Sequence, residues 1–210
     1  MAKLFIKKLL ILFITFSCSV SFYSQDVKYF DESGTLISKR KFKKQLLSLD
    51  YFAVPHDSIP HKILTPRLVK GKIEKREILL DLLEKAIGRS IDREVPTVII
   101  YYPGLDQCNK GGNNTAQWLK AKHIELVKGL KKKANTQPIY IYKEYTGLEK
   151  YRGIVTWYMD PYQVIEQKFF KYHYPCGSFV VLGTDGCYIS YKGEYATGQI
   201  IDAAKTLYKN

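Results

Sequence analysis

The sequence has no apolar run of the roughly 20 residues that a membrane-spanning helix needs. Its most hydrophobic stretch, LLILFITF, is about half that length. It follows MAKLFIKK, with three lysines and no acid, and precedes the small and polar residues of SCSVSFYSQ. A basic start, a short apolar centre and a small-residue end are the order of a cleaved secretory signal peptide, so residues 1–24 are read as one. Ser19-Val20-Ser21 offers the small-x-small pattern for cleavage. An exported protein, periplasmic or extracellular and without a transmembrane span after processing, is the expectation. Lipid attachment at Cys18 is disfavoured, because bulky Phe16 stands where a small residue is wanted.

Internal repeats and low-complexity tracts are also missing, which argues against a solenoid or a linker-separated pair of domains. No Cys/His group has the spacing of a zinc site, so neither a metal nor a cofactor is expected. Acidic residues are few: 20 against 33 lysines and arginines, a formal charge of +13. Removing residues 1–25 takes away three lysines and leaves +10 over 185 residues, so the basic character belongs to the domain itself. Lys39-Arg40-Lys41, Lys43-Lys44 and Lys131-Lys132-Lys133 could attract an unidentified protein or an anionic envelope component. The plainer reading is stronger: the residue 39–44 and residue 131–133 groups both lie in or at the end of helix-like segments, where lysines form a solvated face and suit the helix dipole. No nucleic-acid-binding motif accompanies the charge, so no nucleic-acid partner is expected.

What is present reads as alternating strands and helices. VKYF, DESG and TLIS predict a small hairpin, Ser38 caps a short basic helix, and DYFAV predicts a strand. Pro55, Pro60 and Pro66 then predict an irregular connection, which completes an N-terminal extension over residues 25–70. Leu79, Leu82, Leu83, Ala86 and Ile87 recur at helical spacing and Gly88 stands at the stop. PTVIIYYPG predicts a strand buried on both faces, followed by the polar loop LDQCNKGGNN. Thr115 caps a second helix carrying Leu119, His123, Leu126, Val127 and Leu130, and IYIYKEY predicts another interior strand. Residues 147–160 are ambiguous. Pro161 and YQVIEQKFFKYH predict a helix, SFVVLG-TDG-CYISYKG a hairpin, and Ile200 to Tyr208 a final helix.

From Pro96 to Tyr208 this order resembles the thioredoxin-like fold, in which a buried strand leads to an active-site loop and a proline precedes a later hairpin. The resemblance implies an α/β protein: a thioredoxin-like mixed sheet flanked by helices over residues 71–210, with an α+β extension before it. It places Pro175 at the family's proline and implies a cis Tyr174-Pro175 bond facing the loop of Cys108. The chemistry matches less well. The active family uses Cys-x-x-Cys, but Leu105 and Gly111 stand three residues either side of Cys108. The GGNN segment also delays the helix start and weakens the field that would acidify a thiol. A peroxiredoxin-like pattern is not met, since Leu105 occupies the position of its hydroxyl residue.

After signal removal Cys108, Cys176 and Cys187 remain, an odd number in an oxidising compartment. In a thioredoxin-like arrangement Cys108 and Cys176 lie on facing loops, whereas Cys187 faces about Gly183 across the hairpin. The resemblance therefore makes Cys108 and Cys176, beside Pro175, the candidate redox pair, with a static brace or two unrelated thiols as the plainer alternative. His123 falls on an apolar stripe and reads as a packed histidine; His56 and His61 lack helical ligand spacing. His173 precedes Cys176 by three residues, which permits a Cys/His contact. Asn113-Asn114-Thr115 has the form of a glycosylation acceptor. Two functions stay open: thiol-disulfide exchange through Cys108, or a non-catalytic thioredoxin-like interaction module of the cell envelope.

Overall fold

The computed structural model describes residues 26–55, 60–110 and 115–208; the segment read as a signal peptide, with Cys18, together with His56, Asn113 and Asn114, lies outside them. The DESG turn joins two short antiparallel strands, β1 (Tyr29–Asp31) and β2 (Leu36–Ile37). The Asp31 carboxylate closes it by accepting the backbone N–H groups of Ser33 and Thr35 at 3.0 Å each. Ser38 caps α1 (Lys39–Leu47), its hydroxyl accepting the Lys41 N–H at 3.2 Å and so pairing one of the donors a helix start leaves free.

β3 (Tyr51–Pro55) lies antiparallel to β4 (Lys62–Pro66), and β4 runs parallel to β1. The small sheet has the order β2-β1-β4-β3. Within the irregular connection expected through Pro55, Pro60 and Pro66, the described residues Lys62–Pro66 are strand. Pro55 and Pro66 each stand at the last position of a strand, so neither removes a donor from the interior of the ladder. β5 (Leu68–Lys72) follows at once.

α2 (Arg76–Ile87) buries Leu79, Leu80, Leu83 and Ile87, each contributing about 1.5–3 kcal/mol of hydrophobic stabilisation. Gly88 ends it in the left-handed conformation, φ 68°, and donates its N–H to the Glu84 carbonyl at 2.9 Å. β6 (Thr97–Tyr102) is buried along its whole length. After a four-residue helix, α3 (Gln107–Lys110), Thr115 caps α4 (Ala116–Ala134) through the Trp118 N–H. α3 corrects the expectation of a plain loop around Cys108.

β7 (Pro138–Tyr142) returns parallel to β6. The ambiguous stretch resolves into a 3-10 turn, Glu149–Tyr151, and a third parallel strand, β8 (Trp157–Met159). The helix expected from Pro161 is shorter than predicted: Pro161–Gln163 forms a 3-10 turn and α5 spans only Val164–Phe169. Tyr162 and Gln163 take positive φ at 55° and 56°, and Phe170 leaves the helical conformation to stack on Tyr101 with ring centroids 4.9 Å apart. β9 (Ser178–Leu182), β10 (Cys187–Tyr191) and α6 (Thr197–Tyr208) complete the chain.

The large sheet has the order β5-β10-β9-β6-β7-β8. Within it β10-β9-β6-β7, with β6 and β7 parallel and β9 and β10 antiparallel to their neighbours, is the thioredoxin-like arrangement of a βαβ unit joined to a ββα unit. β5 lies outside it, paired with β10. Alternation along β6 sends Ile99 and Tyr101 toward a core shared with α2 and α5, while Val98 and Ile100 face α4 and α6. A sheet covered on both faces explains the unbroken apolar run of β6. No helix among the described residues is long and apolar enough to cross a membrane.

Candidate functional site

Two loops leave the large sheet at the same end and meet. One follows β6 and enters α3; the other joins α5 to β9 and carries His173, Tyr174, Pro175 and Cys176. The first loop is shaped by a reciprocal pair: Asp106 Oδ1 accepts the Asn109 N–H at 2.9 Å, and Asn109 Oδ1 accepts the Asp106 N–H at 3.0 Å. Asn109 Nδ2 then donates to the carbonyls of Gly104 at 2.9 Å and of Cys176 at 3.4 Å. The other oxygen of Asp106 accepts the Cys176 N–H at 2.9 Å and lies 3.1 Å from His173 Nε2.

Burial pushes the Asp106 carboxyl up, but the Asn109 N–H, the His173 ring and the Cys176 N–H together hold it below its ordinary value. His173 therefore pairs with Asp106, and the Cys/His contact that the sequence spacing permitted is replaced by this carboxylate pairing.

With both loops held, Cys108 and Cys176 are joined as a disulfide, their Cα atoms 5.1 Å apart across 68 residues. Cys108 is exposed and Cys176 half-buried. The Tyr174-Pro175 bond is trans, which corrects the cis bond implied by the family resemblance. The chain reverses one residue later instead: Cys176 takes φ 70° and the Gly177 N–H donates to the Pro175 carbonyl at 2.9 Å, the hydrogen bond of a γ-turn. Cys187 is free, and as expected it lies opposite Gly183, whose N–H donates to its carbonyl at 2.7 Å.

Beneath the disulfide, a cleft of about 590 Å³ runs between α4 and the β6-β7-β8 side of the sheet. Tyr102, Trp118, Tyr140, Tyr151, Trp157 and Tyr195 supply its aromatic walls. The Tyr102 hydroxyl donates to the Thr146 carbonyl at 2.9 Å, and burial pushes its pKa up to about 12. His123 lines the same space with Nδ1 2.8 Å from the Tyr140 hydroxyl, and burial lowers its pKa, which favours the neutral ring. It is thus half-buried against the Tyr140 hydroxyl. His61 accepts the Lys28 N–H at 3.3 Å, far from this site in the chain.

Glu194 stands at the cleft mouth with a carboxylate oxygen within 4.8 Å of both sulfurs. Among the described residues these three are the one His/Cys/Asp/Glu set close enough to share an ion, but sulfurs bonded to each other are not thiolate ligands. Sequence reasoning missed Asp106, Asn109 and Glu194. The Asp-x-x-Asn spacing was a readable signal for the first two, since such a pair closes on itself at a helix start. Nothing local pointed to Glu194.

Fold and site together define a thioredoxin-like domain whose facing loops carry one disulfide. No family model matches the chain, and no curated protein matches it. Among solved structures it is similar to a secreted disulfide oxidoreductase of Mycobacterium tuberculosis that is homologous to DsbE of Escherichia coli. The identity is 13%, the match covers 54% of this chain and 83% of that one, and the TM-score is 0.33. The likeness is distant, and the thioredoxin-like assignment rests on the strand order and directions described above.

Proposed function

We propose that the protein is an exported thioredoxin-like thiol-disulfide oxidoreductase in which Cys108 is the reactive sulfur and Cys176, beside Pro175, its resolving partner. The observation that carries this reading is the placement of the Cys108-Cys176 disulfide: it joins the two facing loops, and one of its two residues, Cys108, is exposed. An incoming thiolate reaches Cys108 and displaces Cys176, and the reverse steps restore the bond. The pair stands in space where the sequence has no Cys-x-x-Cys.

The experiment is turnover of a disulfide-bonded substrate such as insulin, with dithiothreitol as reductant. Wild type accelerates the reduction and Cys108→Ser loses the acceleration. No acceleration by wild type ends the enzyme reading. A second reading, a non-catalytic module for an envelope protein or anionic component, is favoured by one observation: Asp106 and Asn109 brace the same loops independently of the sulfurs. Under it the disulfide is a staple, and partner binding is indifferent to Cys108→Ser.

A further inference from the structure

The redox reading assigns chemistry to the disulfide but leaves the cleft below it without a role. Resting on that reading, we propose that the cleft is a side-chain pocket that selects polypeptide substrates whose reacting cysteine is flanked by a neutral aromatic residue. The cleft and the reactive bond share residues, since Cys108 and Cys176 line it along with the aromatic walls. A chain held by its sulfur on Cys108 therefore has its neighbouring side chain at the opening.

The walls set the chemistry of that side chain. Trp157 meets Tyr102, Tyr140 and Tyr151 edge-on, with ring centroids 5.8, 5.1 and 5.6 Å away. Such a surface takes another ring in offset or edge-to-face contact. The Trp157 indole N–H is itself buried, so it is the rings that supply the recognition surface. Within the cleft His123 is held toward its neutral form by burial and engaged by Tyr140. Lys122, Glu125 and Glu194 are exposed at the rim. Lys150, half-buried in the same lining, is already engaged, its ammonium donating to the Asn109 carbonyl at 3.0 Å and lying 5.6 Å from the Tyr151 ring centroid. A charged side chain entering would give up its hydration for at most a shared counter-charge, whereas a ring gives up little. The volume lies within the roughly 300–1,000 Å³ common for ligand sites and exceeds what one ring needs.

The step it serves is balanced. The substrate thiolate attacks Cys108 Sγ, the bond to Cys176 breaks, and Cys176 leaves with the electron pair and takes a proton from solvent. The substrate sulfur is oxidised into a mixed disulfide as Cys176 is reduced. A second substrate thiolate then releases Cys108 and leaves the substrate oxidised.

The test mixes the oxidised full chain with three capped peptides, Tyr-Cys-Gly, Gly-Cys-Gly and Glu-Cys-Gly, and follows adduct formation by intact mass after acid quench. The Tyr peptide reacts at least about tenfold faster than the Gly peptide, the discrimination expected of one apolar pocket, and the Glu peptide reacts no faster than Gly. Indole, a neutral ring that competes for the cleft, slows the Tyr peptide and spares the Gly peptide. Trp157→Ala brings the Tyr/Gly ratio close to one. Equal rates for the Tyr and Gly peptides in wild type, or indole that fails to slow the Tyr peptide selectively, overturn the pocket while leaving the redox reading intact. No adduct with any peptide overturns the redox reading itself, and the pocket with it. Because the peptide ratio and the indole arm use wild type, a poorly folded variant does not blunt the test.

Discussion

The backbone N–H of Cys176 donates to Oδ2 of Asp106 at 2.9 Å, a bond that spans 70 residues and ties the Cys176 loop to the loop that carries Cys108. Asp106→Ala leaves that N–H without its partner, which costs about 1–3 kcal/mol. The carboxyl sits below its ordinary value of 3.8, so its contribution is fully present above that value and is lost as pH falls through the lower folded one. Urea unfolding of wild type and Asp106→Asn at neutral and acid pH checks this: the difference between them shrinks in acid. A difference that stays constant assigns the acid loss elsewhere.

The Cys108-Cys176 bond closes a loop with a sequence separation of 68 residues. Chain entropy alone gives such a cross-link about 4 kcal/mol of stabilisation. The double variant Cys108→Ser/Cys176→Ser is therefore less stable by up to about that amount. Asp106 and Asn109 still hold the loops, so the folded circular-dichroism spectrum is kept. Cys187→Ser, in contrast, leaves the unfolding midpoint close to wild type, because Cys187 has no covalent partner.

Lys192 ties the N-terminal sheet to the large one. Its ammonium, 4% exposed, meets Glu32 of the β1–β2 turn and the Thr65 hydroxyl at 3.0 Å. Burial pulls its pKa down while Glu32 opposes the shift. A double-mutant cycle with Lys192→Met and Glu32→Gln yields a coupling above about 1 kcal/mol, against about 0.3–0.5 kcal/mol for the exposed Lys122–Glu125 pair on α4. Equal couplings for the two pairs contradict the strut.

Gly88 has open space where a Cβ would stand, so the cost of a side chain there is purely conformational. Gly88→Ala forces a left-handed φ on an L residue and lowers stability by about 1 kcal/mol, and Gly88→Asn by less. Thermal midpoints in the order Gly88, Asn, Ala check it.

The elements whose signals are local were readable. Ser38 and Thr115 cap the helices they precede, Gly88 ends α2, and the TDG turn sets Cys187 opposite Gly183, because each depends on a few neighbouring residues. Pro55 and Pro66 misled for the same reason: a proline punctuates an isolated segment, but at a strand end its missing donor costs the ladder little. The trans bond at Pro175 departs from the family pattern because the reversal there is made by Cys176.

By itself, then, the sequence determined most of the strands and helices, though not β4, β8 or α3, together with the absence of a Cys-x-x-Cys dithiol and the basic balance of the chain. Only the tertiary structure decided that Cys108 meets Cys176 and not Cys187, that Asp106 and Asn109 clasp the two loops, and that Tyr102, Tyr140, Tyr151 and Trp157 gather below the sulfurs. The physical reason is separation along the chain. Capping, turn chemistry and periodicity act over three or four residues, whereas these contacts join strands and loops tens of residues apart, and the β6-β7-β8 and β6-β9 pairings bring them to one end of one sheet.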